Sequence, residues 1–274
     1  MSDIASLSRC REILDRYGIR ASKEYGQNFL IDSAVVATTV AEVPEGCLVL
    51  EIGPGLGALT EKLARRASEV ICWEIDPRMA EVLNGELHED IVEIINEDFL
   101  SADLAGIIKE RKKGREVAVV SNLPYYITTD LLLKIFENIA GISKIVVMMQ
   151  KEVALRFTEH KNVKDYGPVN VMADYYCRVR NVCKADRSCF LPRPNVDSAV
   201  ICFEVIREWQ ESDRQLFRLV TDCFAQRRKS LLNNLKNRYP LDGEMLKRLG
   251  WPETVRAEQL SVEDFIRLQE VLSV

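Results

Sequence analysis

The sequence predicts an α/β fold, in which helices cover both faces of a mostly parallel sheet and a small all-helical C-terminal domain follows. Two observations predict this fold. Short apolar runs rich in β-branched residues alternate with helical patterns from residue 47 onward, and after about Arg207 only helical patterns continue. Strands separated by helices pair in parallel, because each helix returns the chain to the same edge of the sheet.

Two helices come before the first predicted strand. Apolar residues at helical spacing predict a helix over residues 2–17, with Gly18 as its stop. Asp32 or Ser33 opens a second helix that runs to about Val43, because a side-chain oxygen there can accept a hydrogen bond from a free backbone N–H.

Strands and helices then alternate. An apolar run ended by glycines, residues 47–52, predicts the first strand, and a helix through Leu59 and Leu63 follows it. A second strand covers residues 70–75, after which Asp76 and Pro77 supply the cap and first turn of a helix. The remaining elements are strands at residues 91–95, 117–120 and 144–149, a helix at residues 130–139, and two strands at residues 171–179 and 198–205 that close the sheet.

The C-terminal domain begins after residue 207, so the predicted domains are residues 1–207 and 208–274. Ser212 and Gln215 have the pattern of a capping box before its first helix. Asp242 opens a second helix that stops at Gly250, and Ser261 opens the last one.

Composition narrows the class of protein. The apolar fraction of 47% and the charged fraction of 29% are ordinary for a globular chain. No run of about 18 apolar residues predicts a membrane span, and no secretory pattern opens the chain, so we expect a cytoplasmic protein. Eight cysteines without a C-x-x-C pair predict reduced core residues. His88 and His160 have no partner motif, so we expect no metal site.

The chain is acidic overall, with a net charge of −5, but its cations are clustered. The clusters lie at residues 65–66, 111–115 and 227–229, and at Lys236 with Arg238. A single cluster is usually a solvated face. An acidic protein that binds nucleic acid must nevertheless concentrate its cations where the phosphates lie.

A glycine-rich loop, residues 51–57, follows the first strand. Glycines at a strand-to-helix turn let the backbone approach a ligand closely, although an ordinary tight turn is the alternative. The loop alone fits NAD, FAD or S-adenosylmethionine. Its G-x-G-x-G spacing differs from the dinucleotide pattern G-x-G-x-x-G, which disfavours NAD.

Two acids follow the next two strands. Glu74 ends the second strand, where an acid can bind ribose hydroxyls or else support the helix after Pro77. Asp98 follows the third, placed to accept a hydrogen bond from a purine amine or to cap a helix. Gly53, Glu74, Asp98 and Asn122 thus follow four successive strands, and open α/β sheets bind ligands at the carboxyl ends of their strands.

Residues 121–127 form the most informative motif, directly after the strand at residues 117–120. The Asn122 oxygen can accept a hydrogen bond from an exocyclic amine, Pro124 fixes the backbone so that neighbouring carbonyls point one way, and Tyr125 offers a flat face for stacking. None of these groups is a strong base or a nucleophile. The motif therefore predicts positioning of a ring rather than acid–base chemistry.

Together these motifs resemble those of the KsgA/RsmA family of ribosomal RNA adenine dimethyltransferases. The resemblance runs in order from about Lys23 to Leu268. Many members have Asn after the N-L-P-Y tyrosine, where this chain has Tyr126. The matching segments are residues 26–30, 51–57, 122–125, 190–194, 196–198 and 226–229.

The resemblance implies a Rossmann-like, S-adenosylmethionine-dependent methyltransferase domain at residues 1–207 and a helical RNA-binding domain at residues 208–274. It implies transfer of two methyl groups to each of two adjacent adenosines near the 3′ end of small-subunit (16S) rRNA during ribosome biogenesis. The expected partner is the small ribosomal subunit with its rRNA, bound by a monomer that needs neither metal nor membrane.

The site residues that the resemblance implies fall into three groups. Those expected to bind S-adenosylmethionine are Gln27, Asn28, Leu30, Gly53, Gly55, Glu74, Asp98 and Asn122. Those expected at the amine and the base are Asn122, Leu123, Pro124, Tyr125 and Phe190. Those expected to bind RNA, from the first C-terminal helix, are Arg227, Arg228 and Lys229.

In the implied reaction the chain aligns the adenine amine with the methyl group. The Asn122 oxygen and a backbone carbonyl at Leu123 or Pro124 accept the two amine hydrogens, while Tyr125 and Phe190 stack on the extruded base.

Three other functions compete with this one. A large-subunit rRNA methyltransferase of the antibiotic-resistance type would share the glycine loop and the N-x-P-Y motif, but Gly26 before Gln27 and the segment 226–229 favour the small-subunit enzyme. A non-catalytic RNA-binding or transcription-factor descendant of the fold is disfavoured by the intact motif at residues 122–125. A dehydrogenase that uses NAD is disfavoured by the glycine spacing.

Overall fold

The computed structural model describes residues 3–159 and 166–272. Its first helix, α1 (Leu7–Arg16), is shorter than the sequence predicts and is capped by Ser6, whose side chain accepts a hydrogen bond from the Arg9 backbone. The helix α2 (Ser33–Ala41) begins where predicted, because the Asp32 carboxylate accepts hydrogen bonds from the backbone of Ala34 and Val35. Two short segments outside the main sheet are the strands β1 (Phe29–Leu30) and β8 (Phe190–Leu191).

Seven strands form the main sheet, in the spatial order β4-β3-β2-β5-β6-β9-β7. They are β2 (Leu48–Ile52), β3 (Glu69–Trp73), β4 (Val92–Ile95), β5 (Val117–Asn122), β6 (Lys144–Gln150), β7 (Cys177–Ala185) and β9 (Ser198–Val205). The strands β2 to β6 pair in parallel, and β9 pairs antiparallel with β6. The predicted mostly parallel sheet is therefore confirmed.

The register of the central strands fixes where a ligand can bind. The chain builds outward from β2 to β4 and then returns to β5 on the other side of β2, which creates a topological switch point between β2 and β5. Ile52 is level with Trp73 of β3 and Ser121 of β5. The residues that follow these positions, Glu74 among them, therefore come out together at one edge of the sheet.

Helices cover both faces of this sheet, as predicted. The helices between these strands are α3 (Thr60–Leu63), α4 (Pro77–Glu86), α5 (Leu104–Arg111) and α6 (Thr128–Glu137), and α7 (Lys151–Thr158) follows β6. All five residues of β2 are buried. Val49 packs in a cluster with Ile13, Val36 and Leu83 of α1, α2 and α4, whereas Phe136 of α6 packs edge-on against Phe203 on the other face. The sequence analysis did not predict α5.

The strands β1 and β8 pair antiparallel, with Phe29 opposite Leu191 and Leu30 opposite Phe190. The backbone of Ile31 extends this contact by donating a hydrogen bond to the Cys189 carbonyl at 2.8 Å. Two motifs about 160 residues apart in the sequence are thereby joined. The pairing holds the segment before α2 against the main sheet domain.

The predicted strand at residues 171–179 is wrong, because most of it belongs to the helix α8 (Pro168–Tyr176). Val171, Met172 and Ala173 are all buried, and a helix that is buried all round shows no apolar periodicity. The informative signal was local: Pro168 stands at the first helical position, and the Gly167 backbone donates a hydrogen bond to Asn170 Oδ1 at 3.1 Å.

The remaining helices are α9 (Asp213–Cys223), α10 (Leu231–Leu235), α11 (Gly243–Arg248) and α12 (Val262–Leu272). They share one apolar core, whose largest fully buried side chain on α12 is Phe265. Asp242 caps α11 by accepting a hydrogen bond from the Met245 backbone at 2.8 Å, as its predicted cap role requires.

The predicted capping box at Ser212 is wrong, since the Ser212 side chain makes no capping hydrogen bond. The neighbouring Asp213 is buried instead. Its carboxylate accepts hydrogen bonds from the hydroxyls of Tyr175 and Tyr176 at 2.8 Å and from the Gln210 backbone at 2.9 Å. A buried carboxylate with three donors anchors the start of α9 more strongly than an exposed serine could.

The chain divides into two compact units. The first comprises Met1–Ala154 and Val179–Ile206, and the second comprises Leu155–Arg178 and Arg207–Val274. Residues from Arg207 onward thus belong to the second unit. This unit also contains the segment with α8, which lies within the predicted sheet domain of residues 1–207.

All eight cysteines are free thiols, and all are buried except the half-buried Cys183. Within the described residues, no group of three or more His, Cys, Asp or Glu side chains is arranged to hold a metal ion. None of the helices in these ranges combines the length and the apolar character that crossing a bilayer requires. His160 lies outside the described residues.

Candidate functional site

A cavity opens at the carboxyl ends of the central strands, beside the topological switch point. Its volume is about 1080 Å³, including the solvent space at its mouth, which is enough for a small-molecule ligand. Every residue expected to bind the cofactor lines it, and so do four of the five expected at the reacting base. These lining residues are Gln27, Asn28, Leu30, Gly53, Gly55, Glu74, Asp98, Asn122, Leu123, Pro124 and Tyr125.

The charged residues that line the cavity are all acidic. They are Glu51, Glu74, Glu97 and Asp98, and no Lys, Arg or His is present among the described lining residues. Such a wall repels phosphate and attracts a cation or a neutral ring that donates hydrogen bonds. A phosphate-rich dinucleotide would therefore bind poorly at this edge of the sheet.

The glycine loop and Glu74 are joined by hydrogen bonds. Gly53 and Gly55 adopt φ values of +63° and +59°, which residues with a side chain rarely adopt. The Gly55 backbone donates to Glu74 Oε2 at 3.1 Å, and the Asp76 backbone donates to Glu74 Oε1 at 2.9 Å. Burial raises the pKa of the Glu74 carboxyl. Glu74 thus lines the cavity and also supports the turn that leads into α4.

Glu51 is a second buried carboxyl, and the sequence analysis gave it no role. It is 1% exposed and lies on β2, where the Cys72 thiol donates a hydrogen bond to it at 3.5 Å. No Lys or Arg among the described residues forms an ion pair with it. Burial raises the pKa of Glu51 to about 7. The signal that could have found it is a charged residue inside an otherwise apolar central strand.

Asn122 is oriented by the segment that precedes β1. Its side-chain Nδ2 donates a hydrogen bond to the Asn28 backbone carbonyl at 3.1 Å. The Asn28 side chain in turn donates to the Gly26 carbonyl at 3.0 Å. Because the amide nitrogen of Asn122 is used in this way, its Oδ1 is the atom that remains available as an acceptor at the cavity wall.

Gln27 fixes the same segment to α4. Its Oε1 accepts a hydrogen bond from the Ser22 backbone at 2.8 Å, and its Nε2 donates to Asp76 Oδ2 at 2.8 Å. Burial opposes ionisation of Asp76, but hydrogen bonds from Arg78 and Gln27 outweigh it and lower the pKa of this carboxyl. The ionised Asp76 therefore both caps α4 and holds one wall of the cavity.

Tyr125 is half-buried at the cavity, and its hydroxyl forms a hydrogen bond with Ser198 Oγ at 2.8 Å. Burial raises the pKa of the Tyr125 phenol, so the ring is neutral at physiological pH. Ser198 lies in the late motif at residues 196–198, but the sequence analysis assigned it no contact. Its fully buried position at the start of β9 lets it fix the orientation of the Tyr125 ring.

Phe190 does not lie where stacking on a base would require it. Its side chain is 1% exposed, packs in the apolar core beneath the sheet and does not line the cavity. Pairing of β8 with β1 determines this placement, since it turns the ring inward opposite Leu30. In this conformation the Phe190 ring is buried, and its stacking on a base stays a prediction.

Asp98 serves as a cap in this structure. Its Oδ1 accepts a hydrogen bond from the Leu100 backbone at 2.9 Å and so begins the short 3-10 helix Phe99–Ser101. The residue is also exposed at the cavity wall. Contact of Asp98 with a purine amine stays a prediction.

The cations expected to bind RNA are not on a helix. Because α9 ends at Cys223, Arg227, Arg228 and Lys229 lie in an exposed turn before α10. Arg227 donates a hydrogen bond to the Tyr166 carbonyl at 3.1 Å. Arg228 and Lys229 have no side-chain hydrogen bond or ion pair within the described part of the chain.

The arginines of the other cation clusters are paired with carboxylates. Arg65 binds Glu61 at 2.9 Å and Arg66 binds Glu45 at 3.3 Å. In the cluster at residues 111–115, both arginines bind Glu69. These clusters therefore have a structural explanation that Arg228 and Lys229 lack.

Comparison with known proteins gives the chain a family. Residues 18–273 match the ribosomal RNA adenine dimethylase family. A Bacillus pumilus protein named ribosomal RNA small subunit methyltransferase A is 43% identical in an alignment of 286 residues, which covers 98% of this chain and 97% of that protein. The Bacillus cytotoxicus protein of the same name is 42% identical over 291 residues, covering 99% and 98% of the two chains.

Two solved structures resemble the fold. The 23S rRNA methyltransferase ErmE has a TM-score of 0.63 and 29% identity, and the match covers 90% of this chain and 100% of that one. A dimethyladenosine transferase from Plasmodium falciparum has a TM-score of 0.69, and the match covers 88% of this chain and 96% of that one. Because the two sequences are only 24% identical, this similarity shows the fold alone. The predicted Rossmann-like methyltransferase fold is confirmed by these structures.

Replacing Glu51 with Gln should change how stability depends on pH. In wild type the folded carboxyl has a pKa of about 7 instead of the ordinary 4.5. Between these values the folded protein keeps a proton that the unfolded chain has lost, so wild-type stability falls as pH rises through this window. By pH 8 the free energy of unfolding of wild type has fallen by on the order of 3 kcal/mol. Glu51→Gln removes this loss because an amide does not ionise.

Denaturant unfolding at pH 5 and pH 8 measures this effect. Glu81→Gln, on the exposed face of α4, is the matched control and should keep the wild-type dependence. If the free energy of unfolding of Glu51→Gln fell with pH as much as that of wild type, the raised pKa of the Glu51 carboxyl would be contradicted.

Proposed function

This chain belongs to the ribosomal RNA adenine dimethylase family, and we propose that it transfers methyl groups from S-adenosylmethionine to the N6 amines of two adjacent adenosines near the 3′ end of small-subunit (16S) rRNA. The names of the relatives that cover nearly the whole chain support the small subunit as its partner. We propose that the protein acts in the cytoplasm, where this substrate is found. We also propose that the chain acts as a monomer.

The contact between Asn122 and Asn28 carries the proposal. With its Nδ2 donating to the Asn28 carbonyl at 3.1 Å, Asn122 presents Oδ1 as an acceptor. An adenine N6 amine carries two hydrogens and a lone pair that is delocalised into the ring. Hydrogen bonds from both hydrogens to fixed acceptors favour the geometry in which the lone pair points at the methyl group.

Two backbone carbonyls could accept the second amine hydrogen, and Leu123 is the better supported. The Pro124 carbonyl already accepts hydrogen bonds from Thr128 Oγ1 at 2.9 Å and from the Ile127 backbone at 3.3 Å. The Leu123 carbonyl accepts none among the described residues. Its backbone N–H is fixed by a 2.9 Å hydrogen bond to the Met148 carbonyl of β6, so the acceptor is held in place by the sheet.

Tyr125 is the proposed stacking surface for the target base. Its hydroxyl is fixed by Ser198, which leaves the ring as a rigid wall beside Asn122. Stacking of one base on an aromatic side chain contributes roughly 1–3 kcal/mol. This energy offsets the cost of taking the adenine out of its RNA stack.

The residues at the cavity fit S-adenosylmethionine. Its sulfonium and ammonium groups are cationic, and the described lining residues carry four carboxylates and no cation. The residues that would hold it are Gln27, Asn28, Leu30, Gly53, Gly55, Glu74, Asp98 and Asn122, with Glu74 assigned to the ribose hydroxyls. When bound, this cofactor supplies a methyl group on an excellent leaving group.

Alignment is then the main task of the protein. Holding two reactants in the correct geometry can supply about 7–11 kcal/mol of the barrier. The acceptors at Asn122 and Leu123 orient the amine, and the Tyr125 ring limits rotation of the base. This scheme requires no general base, because the N6 nitrogen becomes cationic and acidic once it carries the new methyl group and can then give its proton to water.

Methyl transfer from labelled S-adenosylmethionine to purified small subunits that lack the modification tests the proposed function. Nucleoside analysis should give N6,N6-dimethyladenosine from 16S rRNA and no label in large subunits. Label in 23S rRNA alone would instead support a large-subunit enzyme, the class to which ErmE belongs.

Glu74→Ala should weaken binding of S-adenosylmethionine. The variant loses a carboxylate that accepts hydrogen bonds from ribose, each worth about 1.5–3 kcal/mol, so the dissociation constant should rise on the order of a hundredfold. Calorimetry measures it directly. Glu97→Ala, an exposed acid at the same cavity, is the control and should change the affinity little. Equal affinities for Glu74→Ala and wild type would refute the ribose assignment.

Asn122→Ala should reduce the rate of methyl transfer far more than the affinity for RNA. Removing a preorganised polar group that acts in the transition state costs on the order of 10²–10³ in kcat. Single-turnover kinetics measure the rate, and subunit binding and thermal stability are measured on the same preparation. An unchanged maximal rate with weakened subunit binding would withdraw the catalytic role of Asn122.

We further propose that Arg228 and Lys229 contact rRNA phosphates. Both are exposed, and neither has a hydrogen-bond or ion-pair partner in the described part of the chain. Arg227, by contrast, is bound to the Tyr166 carbonyl within its own unit, so its role is at least partly structural. In an acidic chain, unpaired neighbouring cations on a turn are a suitable docking point for phosphate.

Arg228→Ala and Lys229→Ala should each flatten the dependence of subunit affinity on salt. Each lost phosphate contact reduces the slope of log affinity against log salt by about 0.7–0.9. Arg65→Ala removes an exposed cation that is paired with Glu61 and serves as the control with an unchanged slope. A lowered melting temperature with a wild-type slope would mean that the turn is structural only.

A further inference from the structure

Tyr126 is the most exposed aromatic side chain among those at the cavity. It directly follows Tyr125, lines the cavity and is 56% exposed, whereas Tyr125 is half-buried. A single exposed apolar residue is common on protein surfaces, but this ring lies at the cavity that holds the proposed site. The sequence analysis left its role open, and the proposed mechanism does not use it.

The Tyr126 ring is seated on the backbone of Gly26. A Cβ atom on Gly26 would lie 3.1 Å from Cδ1 and 3.2 Å from Cε1 of Tyr126, so a larger residue here would push the ring away by a few tenths of an ångström. Gly26 also has a φ of +61°, which favours glycine. Gly26 is linked to the amine acceptor through Asn28, whose side chain donates to the Gly26 carbonyl and whose own carbonyl accepts from Asn122, so the ring packs on the segment that orients Asn122.

The surroundings of Tyr126 are acidic. Burial raises the pKa of its phenol, and the charges of Asp98, Tyr25 and Glu24 add to this effect. Its hydroxyl makes no hydrogen bond within the described residues. Negative charge at the cavity mouth repels phosphate, so an RNA segment that passes here should present its bases rather than its backbone.

We propose that Tyr126 is a stacking surface for the nucleobase adjacent to the target adenosine. This inference rests on the proposed function, in which two neighbouring adenosines are modified. When one base enters the cavity against Tyr125, the neighbouring base stays at the cavity mouth. Tyr126 follows Tyr125 in the chain and presents its exposed ring at that mouth. Stacking on a neutral ring is tolerant of which base is present, so the same surface serves whichever adenosine is outside.

Three variants separate stacking from packing. Tyr126→Ala removes the ring, Tyr126→Leu keeps apolar bulk on Gly26 without a flat aromatic face, and Tyr126→Phe keeps the face without the hydroxyl. Steady-state methylation of undermethylated small subunits gives KM and kcat for each variant. Calorimetry with S-adenosylmethionine shows whether the cofactor site is intact.

We expect Tyr126→Ala and Tyr126→Leu to raise KM for subunits roughly 5- to 140-fold, the loss that corresponds to one base stack. The cofactor dissociation constant should stay within about twofold of wild type, and Tyr126→Phe should recover the wild-type KM.

Three results would overturn the inference. A wild-type KM for Tyr126→Leu would mean that the residue only packs on Gly26. An unchanged KM in both the Ala and the Leu variant would mean that Tyr126 has no role in binding subunits. A weaker affinity for S-adenosylmethionine would assign Tyr126 to the cofactor site. Failure of the proposed function gives a different result, because wild type itself would then leave small subunits unmethylated. In that case the role of Tyr126 would be refuted together with the proposed function.

Discussion

The site depends on one hydrogen bond, from the Asn122 side chain to the Asn28 backbone carbonyl. Asn122 ends the central strand β5, and Asn28 lies at the end of a segment that belongs to no main strand. The bond makes this segment a wall of the cavity and directs the remaining Asn122 oxygen toward a ligand. Pairing of β1 with β8 and the Gln27–Asp76 contact hold the same wall from two other directions. Without this wall the strand ends would form an open groove.

Charge is the second constraint on the cavity. Four carboxylates without a compensating cation are costly to keep together, and burial shifts the pKa of Glu51 and Glu74 upward. Evolution of a stable protein alone would not favour such an arrangement, whereas a cationic ligand stabilises it. Among the predicted cation clusters, Arg111 and Arg115 are paired with Glu69, whereas Arg228 and Lys229 have no partner in the described part of the chain.

In the proposed mechanism, rigid placement of the reacting amine matters more than proton transfer. The groups that face the proposed amine are an amide oxygen, a backbone carbonyl and a neutral ring. Hydrogen bonds fix the amide to Asn28, the residue that carries the carbonyl to β6, and the ring to Ser198 of β9. Phe190 illustrates how strictly the fold assigns these positions. It belongs to a motif near the site, but its strand turns the ring into the core, and exposed aromatic surface at the cavity comes from Tyr126 instead.

The sequence by itself determined the alternation of strands and helices, the glycine loop, and the polar residues Glu74, Asp98 and Asn122 at the strand ends. These features are local, because caps, turn glycines and apolar runs act within a few residues of the chain. Only the tertiary structure decided which partner each polar atom takes and which face each ring presents. The Asn122–Asn28 bond and the burial of Phe190 both depend on contacts between segments far apart in sequence. No local pattern encodes such contacts, since a hydrogen-bond partner and a packing neighbour are chosen by proximity in space.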